Sequence, residues 1–247
     1  MSKKKNTLLR NTSILMAATI ISRVIGLLYR SPLGETIGNE GLGYYSTASN
    51  LYTILLLISS YSIPMAVSKI VSERLALKEY RNAHRVFRGA LLYAVIVGGI
   101  AALVAFFGGK FLLPYNQQNA ILALRVLAPT IFFSAILGVL RGYFQAHSTM
   151  MPTSISQIIE QIFNAAFSIG AAWFFIQQFA TNDTERAKFG AAGGTLGTGA
   201  GVLAGLCFML LVYGVNRKSI LRKAAKDIRH REESYREIFQ VLFLMVT

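Results

Sequence analysis

Long apolar runs, each broken by a few polar residues, follow one another along almost the whole chain. A helix needs about 20 residues to cross the hydrocarbon of a bilayer. Six runs reach that length, at roughly 11–31, 43–71, 86–112, 118–146, 152–178 and 188–215. A seventh begins near Ile238 and reaches only Thr247, about half a span. The pattern predicts an all-α, polytopic membrane protein belonging to a larger parent: a lobe over 1–215, a basic interlobe segment over 216–237 and the start of a seventh helix over 238–247.

Within the runs the polar residues fall in stripes. Thr19, Ser22, Arg23, Gly26 and Arg30 recur at i, i+3, i+4, i+7 and i+11, one face of a helix. Gln157, Glu160, Gln161, Asn164 and Ser168 repeat that spacing in the fifth run, and Ser46, Asn50 and Thr53 lie along one side of the second. Lipid offers such groups no partners, so three striped helices imply a shared hydrated interior. A charge at mid-bilayer costs on the order of 2.5–3.5 kcal/mol on insertion scales, which makes Arg23 and Glu160 the leading candidates for a pathway. At 1.5 Å per residue Arg23 lies roughly 18 Å in from Asn11, and Glu160 roughly 12 Å in from Pro152. A direct pair between them and separate satisfaction of each both remain open. The candidate substrate-binding residues are Arg23, Asn50, Gln157, Glu160, Gln161 and Asn164.

Other positions have plainer readings. Gly193, Gly197, Gly201 and Gly205 give the sixth span a smooth face for close packing. Pro64 and Pro129 each remove a helix hydrogen bond and predict kinks. Tyr29, Tyr44, Tyr45 and Tyr115 are expected in an outer aromatic belt, and Arg125 and Lys69 as snorkelling anchors. Cys207 reads as a small packing residue, and His84, His147 and His230 as solvated or headgroup-facing residues at span ends.

Charge sets the orientation. The composition is 53% hydrophobic and 15% charged, against about 25% charged in soluble domains. The net charge is +14, yet the basic residues gather in alternate gaps: Lys3 to Arg10, Arg74 to Arg88, the turn beside Arg141, and Arg217 to Arg236. The positive-inside bias therefore predicts a cytoplasmic N-terminus for a multi-pass membrane protein. Lys3-Lys4-Lys5 before an apolar run resembles a signal peptide, but Arg23 interrupts the run and no small-x-small site follows, so a retained first span is expected. Val215 to Phe239 is expected to form an amphipathic helix against anionic headgroups, with Ile220, Leu221, Ala224, Ala225 and Ile228 on its apolar side. No aromatic-rich basic surface or zinc spacing supports nucleic-acid binding. No phosphate loop, nucleophile triad or metal-ligand spacing appears, so neither an enzyme nor a cofactor is expected.

Several motifs look familiar. Ser22-Arg23-Val24-Ile25-Gly26, Gly41-Leu42-Gly43-Tyr44-Tyr45, Ile63-Pro64-Met65-Ala66-Val67-Ser68-Lys69, Arg141-Gly142-Tyr143-Phe144-Gln145 and the run Met151 to Gln161 resemble the MOP exporter superfamily. That superfamily includes polysaccharide flippases, lipid II flippases and MATE drug exporters. The chain most resembles its stage V sporulation protein B branch, related to the Gram-positive lipid II flippases. The resemblance implies a MATE-like fold whose six-helix N-terminal lobe this chain supplies, with alternating access around a central cavity. It also implies that Arg23 matches a cavity arginine holding the pyrophosphate of a lipid-linked sugar. The chain departs from the Gram-negative type around Tyr44, where an Asp is usual, and has no arginine near Ser60.

The expected function is export or flipping of a lipid-linked saccharide. Its partners would be that lipid, the bilayer, a coupling ion (proton or sodium) and the C-terminal lobe of the same parent chain. The rivals are a MATE-like ion-coupled multidrug antiporter, with Glu160 as the ion site, and a structural protein of envelope or spore-coat assembly.

Overall fold

The computed structural model describes residues 2–225, 227 and 234–246, and side chains from residue 13 onward except those of 223, 224, 245 and 246. Nine α-helices run through the described residues: α1 (Ser2–Leu28), α2 (Arg30–Ser59), α3 (Ile63–Ala76), α4 (Tyr80–Phe107), α5 (Gly109–Leu112), α6 (Ile121–Ala146), α7 (Met151–Phe179), α8 (Asp183–Ala225) and α9 (Tyr235–Val246). One 3-10 turn, Tyr115–Ala120, leads into α6. Among the described residues five stretches are long and apolar enough to cross a membrane: Arg30–Ala76, Tyr80–Phe107, Tyr115–Ala146, Met151–Phe179 and Asp183–Arg222. Ser13–Leu28 is a shorter apolar helix. The chain is an all-α, multi-pass membrane protein.

Two apolar clusters hold the helices together. One joins α3, α4, α6, α8 and α9 around Val67, Phe87, Leu140, Tyr143, Met209 and Leu242. The other joins α2, α6, α7 and α8 around Leu33, Tyr45, Leu124, Leu127, Ala172 and Ala191. Outward from these, Leu28, Ile58, Phe107, Trp173 and Leu211 are exposed. A soluble monomer rarely shows so much apolar surface, whereas in a bilayer lipid covers it.

The helices depart from the sequence expectations in three places. The second span is two helices, broken at Ser60–Ser62, and Pro64 sits in the first turn of α3, where its missing N–H loses no helical bond. The link between the first two spans is itself helical and turns at Gly38, whose φ of 74° and ψ of 173° suit glycine alone. The sixth span runs past residue 215 without interruption to Ala225. At 1.5 Å per residue this helix is on the order of 65 Å long, so its basic end extends beyond the hydrocarbon. Of the expected amphipathic segment, Ile228 and the side chain of Ala224 lie outside the described residues, as do His230 and the side chains of Lys3, Lys4, Lys5 and Arg10.

Several side chains also sit elsewhere than expected. Tyr29, Tyr44 and Tyr45 are buried between helices, while Tyr115 is exposed. His84 is buried beside Phe87, and Cys207 faces outward.

Candidate functional site: a cationic cleft between the first and seventh helices

The site is built on α7, whose backbone is fixed from behind by the glycine face of α8. A Cβ at Gly193, Gly197 or Gly201 would strike Ala171 O, Ser168 Oγ or Glu160 O respectively, and one at Gly205 would come within 3.3 Å of Ser156 O. Only glycine allows so close an approach along several turns. Ser168 Oγ donates to Gly194 O at 2.8 Å across the same seam, and Asn182 Oδ1 caps the start of α8 by accepting from the Glu185 N–H at 2.8 Å.

On its other side α7 meets α1. The two stripes read from the sequence converge there on an open cleft of about 560 Å³. Thr19, Ser22, Arg23 and Gly26 of α1 line it with Arg30, the first residue of α2. Gln157, Glu160, Gln161 and Asn164 face them from α7. Four of the five other candidates thus lie in the same cleft as Arg23. Asn50 does not: it is exposed on α2 and lines none of the clefts described here.

Arg141 of α6 completes the cleft, a residue the sequence reading had left at the edge of a turn. Its guanidinium donates to Glu160 Oε2 at 2.7 Å and to Ser156 Oγ at 2.9 Å. The side chains of Arg141 and Glu160 are only 15% and 21% exposed, so this is a mostly desolvated, charge-assisted pair. Arg23 and Glu160 do not pair directly; Arg141 reaches the carboxylate from the neighbouring helix. Arg23 is exposed to the cleft and makes no ion pair among the described residues. The signal for Arg141 was present, since an arginine inside the apolar run 118–146 is itself an ionisable residue within a span.

Asn164 is spoken for. It is buried, its amide reaches Tyr29 Oη at 3.4 Å, and its Oδ1 lies 3.0 Å from Ser168 Oγ, sharing with Gly194 O the one proton of that hydroxyl. Tyr29 in turn shares a 2.9 Å hydrogen bond with Tyr45. This network ties α1, α2, α7 and α8 together at one end of the cleft. The cleft as a whole presents three guanidinium groups, on Arg23, Arg30 and Arg141, against the single carboxylate of Glu160.

Comparison with known proteins supplies the context. The sequence model of the polysaccharide biosynthesis protein family matches residues 8–230. The lipid II flippase MurJ of Bacillus subtilis (strain 168) is 26% identical over 246 residues, covering 96% of this chain and 44% of that protein. Stage V sporulation protein B of the same organism is 26% identical over 244 residues, covering 96% and 45%. The chain therefore spans less than half the length of these two relatives.

Proposed function

The chain belongs to the polysaccharide biosynthesis protein family, and on that premise we propose that it carries a lipid-linked saccharide across the membrane, its phosphate held in the α1–α7 cleft. The observation that carries this reading is the excess of guanidinium over carboxylate in a polar cleft bordered by apolar surface. A phosphate or pyrophosphate ester is the cargo that such an excess attracts, because the planar guanidinium fork matches phosphate oxygens two at a time. Arg23 is the principal ligand, since its guanidinium is not engaged by a carboxylate. Arg30 draws the anion in from the mouth, and Gln157 and Gln161 offer amides beside it. The prenyl tail stays on the apolar outer surface. A cationic drug would meet repulsion here, and Glu160, already held by Arg141, is poorly placed to serve it.

Transport would proceed by alternating access against a second lobe, which the relatives' greater length leaves room for. The Lys/Arg bias supports a cytoplasmic N-terminus; labelling of Lys218→Cys by an impermeant reagent in intact cells would overturn that orientation.

The test is flipping of a fluorescent lipid-linked disaccharide by the purified full-length protein in vesicles. Arg23→Ala should lower the rate by about ten-fold or more, the scale of one charge-assisted contact, with folded yield unchanged. Arg23→Lys should recover part of it. Full activity in Arg23→Ala would overturn the assignment.

A further inference from the structure

Behind the Arg141–Glu160 pair lies a second cleft of about 500 Å³, between the α2–α3 break, α6 and the first turns of α7. Arg141, Gln157 and Glu160 line both clefts, so the ion pair is the wall they share. The chemistry of the two differs. Beyond that shared wall the second cleft is lined by no charged side chain among the described residues; its polar lining is Tyr52, Ser60, Tyr61, Ser134, Gln145 and Thr153.

The backbone makes this position unusual. Helix α2 stops at Ser59 and α3 starts at Ile63, inside one candidate span, Arg30–Ala76. Non-helical backbone at membrane depth is stable only where protein buries it or a wet cavity receives it, and interrupted spans in transporters mark binding sites. Ser59 Oγ donates to Leu55 O at 2.6 Å and shares a 3.0 Å contact with Ser60 Oγ, which satisfies part of the break internally. Gly142 lets α6 approach Pro64 so closely that a Cβ there would come within 3.0 Å of the Pro64 Cα. The break is thus clamped rather than loose, and it turns Ser60 and Tyr61 into the cleft. Tyr61 is 69% exposed, an aromatic face without a partner ring among the described contacts.

We propose that this second cleft is the saccharide subsite, taking the uncharged sugar next to the phosphate that occupies the first. The inference rests on the transport reading above. Amides and hydroxyls that both donate and accept suit sugar hydroxyls. The ring of Tyr61 suits the apolar face of a pyranose, and the Glu160 carboxylate can accept from a hydroxyl at the boundary. Arg141 touches both clefts, so it spans the junction between phosphate and sugar.

The experiment uses the purified full-length protein and two probes, undecaprenyl pyrophosphate with and without an attached disaccharide. Tyr61→Ala and Gln145→Ala alter partly exposed side chains, and their folded yield is checked against wild type. Each should weaken binding of the sugar-bearing lipid by about five-fold, the scale of one or two neutral contacts. Binding of the sugar-free lipid should stay unchanged. Arg23→Ala should weaken both probes alike. Equal losses for both probes in Tyr61→Ala and Gln145→Ala, or no loss for either, would overturn the subsite. A wild-type protein that binds neither lipid would instead overturn the transport reading on which the subsite rests.

Discussion

Helix α7 presents polar residues to two neighbours, and the two contacts have opposite physics. Toward α8 the row Ser156, Asn164, Ser168 is buried, held within backbone contact of glycines and fully engaged in hydrogen bonds at Asn164 and Ser168. Toward α1 the row Gln157, Gln161 is only partly covered and borders open space. In lipid, a polar residue serves either to join helices or to line a path, and satisfaction by protein partners separates the two uses. The seam is glue. The cleft, with Arg23 uncompensated by any carboxylate among the described residues, is available to a ligand.

The largest effect should come from forcing the seam apart. In Gly197→Leu the new side chain would meet Ser168 and the Asn164 carbonyl, backbone that cannot step aside. Over-packing of this kind costs about 1–3 kcal/mol and sometimes more, so thermal stability of the full-length protein in detergent should fall sharply. Gly214→Leu is the matched control on the same helix, with nothing within 4 Å of its Cβ. If both variants melt alike, α8 does not pack on α7 through this face.

A smaller loss should follow at the wall of the cleft. Glu160→Ala leaves the Arg141 guanidinium without its carboxylate, at a cost of about 2 kcal/mol, the scale of a hydrogen bond between charged groups. Arg141→Ala combined with Glu160→Ala should recover part of that loss, because no charge is then stranded. Arg23→Ala should cost no stability, alone or with Glu160→Ala. Rescue of Glu160→Ala by Arg23→Ala would move the structural pair back to Arg23.

The same contrast explains what the sequence made legible. Period alone located the α1 and α7 stripes, because a 3.6-residue repeat survives any packing arrangement, and it placed Arg23 with Gln157, Glu160, Gln161 and Asn164. The glycine face of α8 was equally plain. Arg141 was misplaced because an arginine near a span end fits the positive-inside bias as well as a cavity does. Tyr29 and Tyr45 were read as a belt because a tyrosine facing lipid and one facing a neighbouring helix have the same local pattern. The second cleft had no linear signature at all: it is assembled from a helix break and two other helices, and only the fold brings Tyr61 near Gln145.

The finest test divides the α7 stripe itself. Asn164 and Gln161 are three residues apart and chemically alike, yet the structure gives them different work. Asn164 accepts from Ser168 and reaches Tyr29 across a buried junction. Removing it in Asn164→Ala should cost about 1 kcal/mol, the net worth of a typical buried hydrogen bond. The loss stays modest because the single Ser168 hydroxyl proton still has Gly194 O as its acceptor. Gln161 faces the cleft with no hydrogen bond to another side chain among the described residues, so Gln161→Ala should stay within about 0.5 kcal/mol of wild type. The functional ranking should be reversed, with Gln161→Ala weakening binding of sugar-free undecaprenyl pyrophosphate more than Asn164→Ala does at equal folded fraction. Thermal melts and binding measured on the same two preparations decide it. If Gln161→Ala proves the less stable variant, the division of α7 into a glued row and a lining row is wrong.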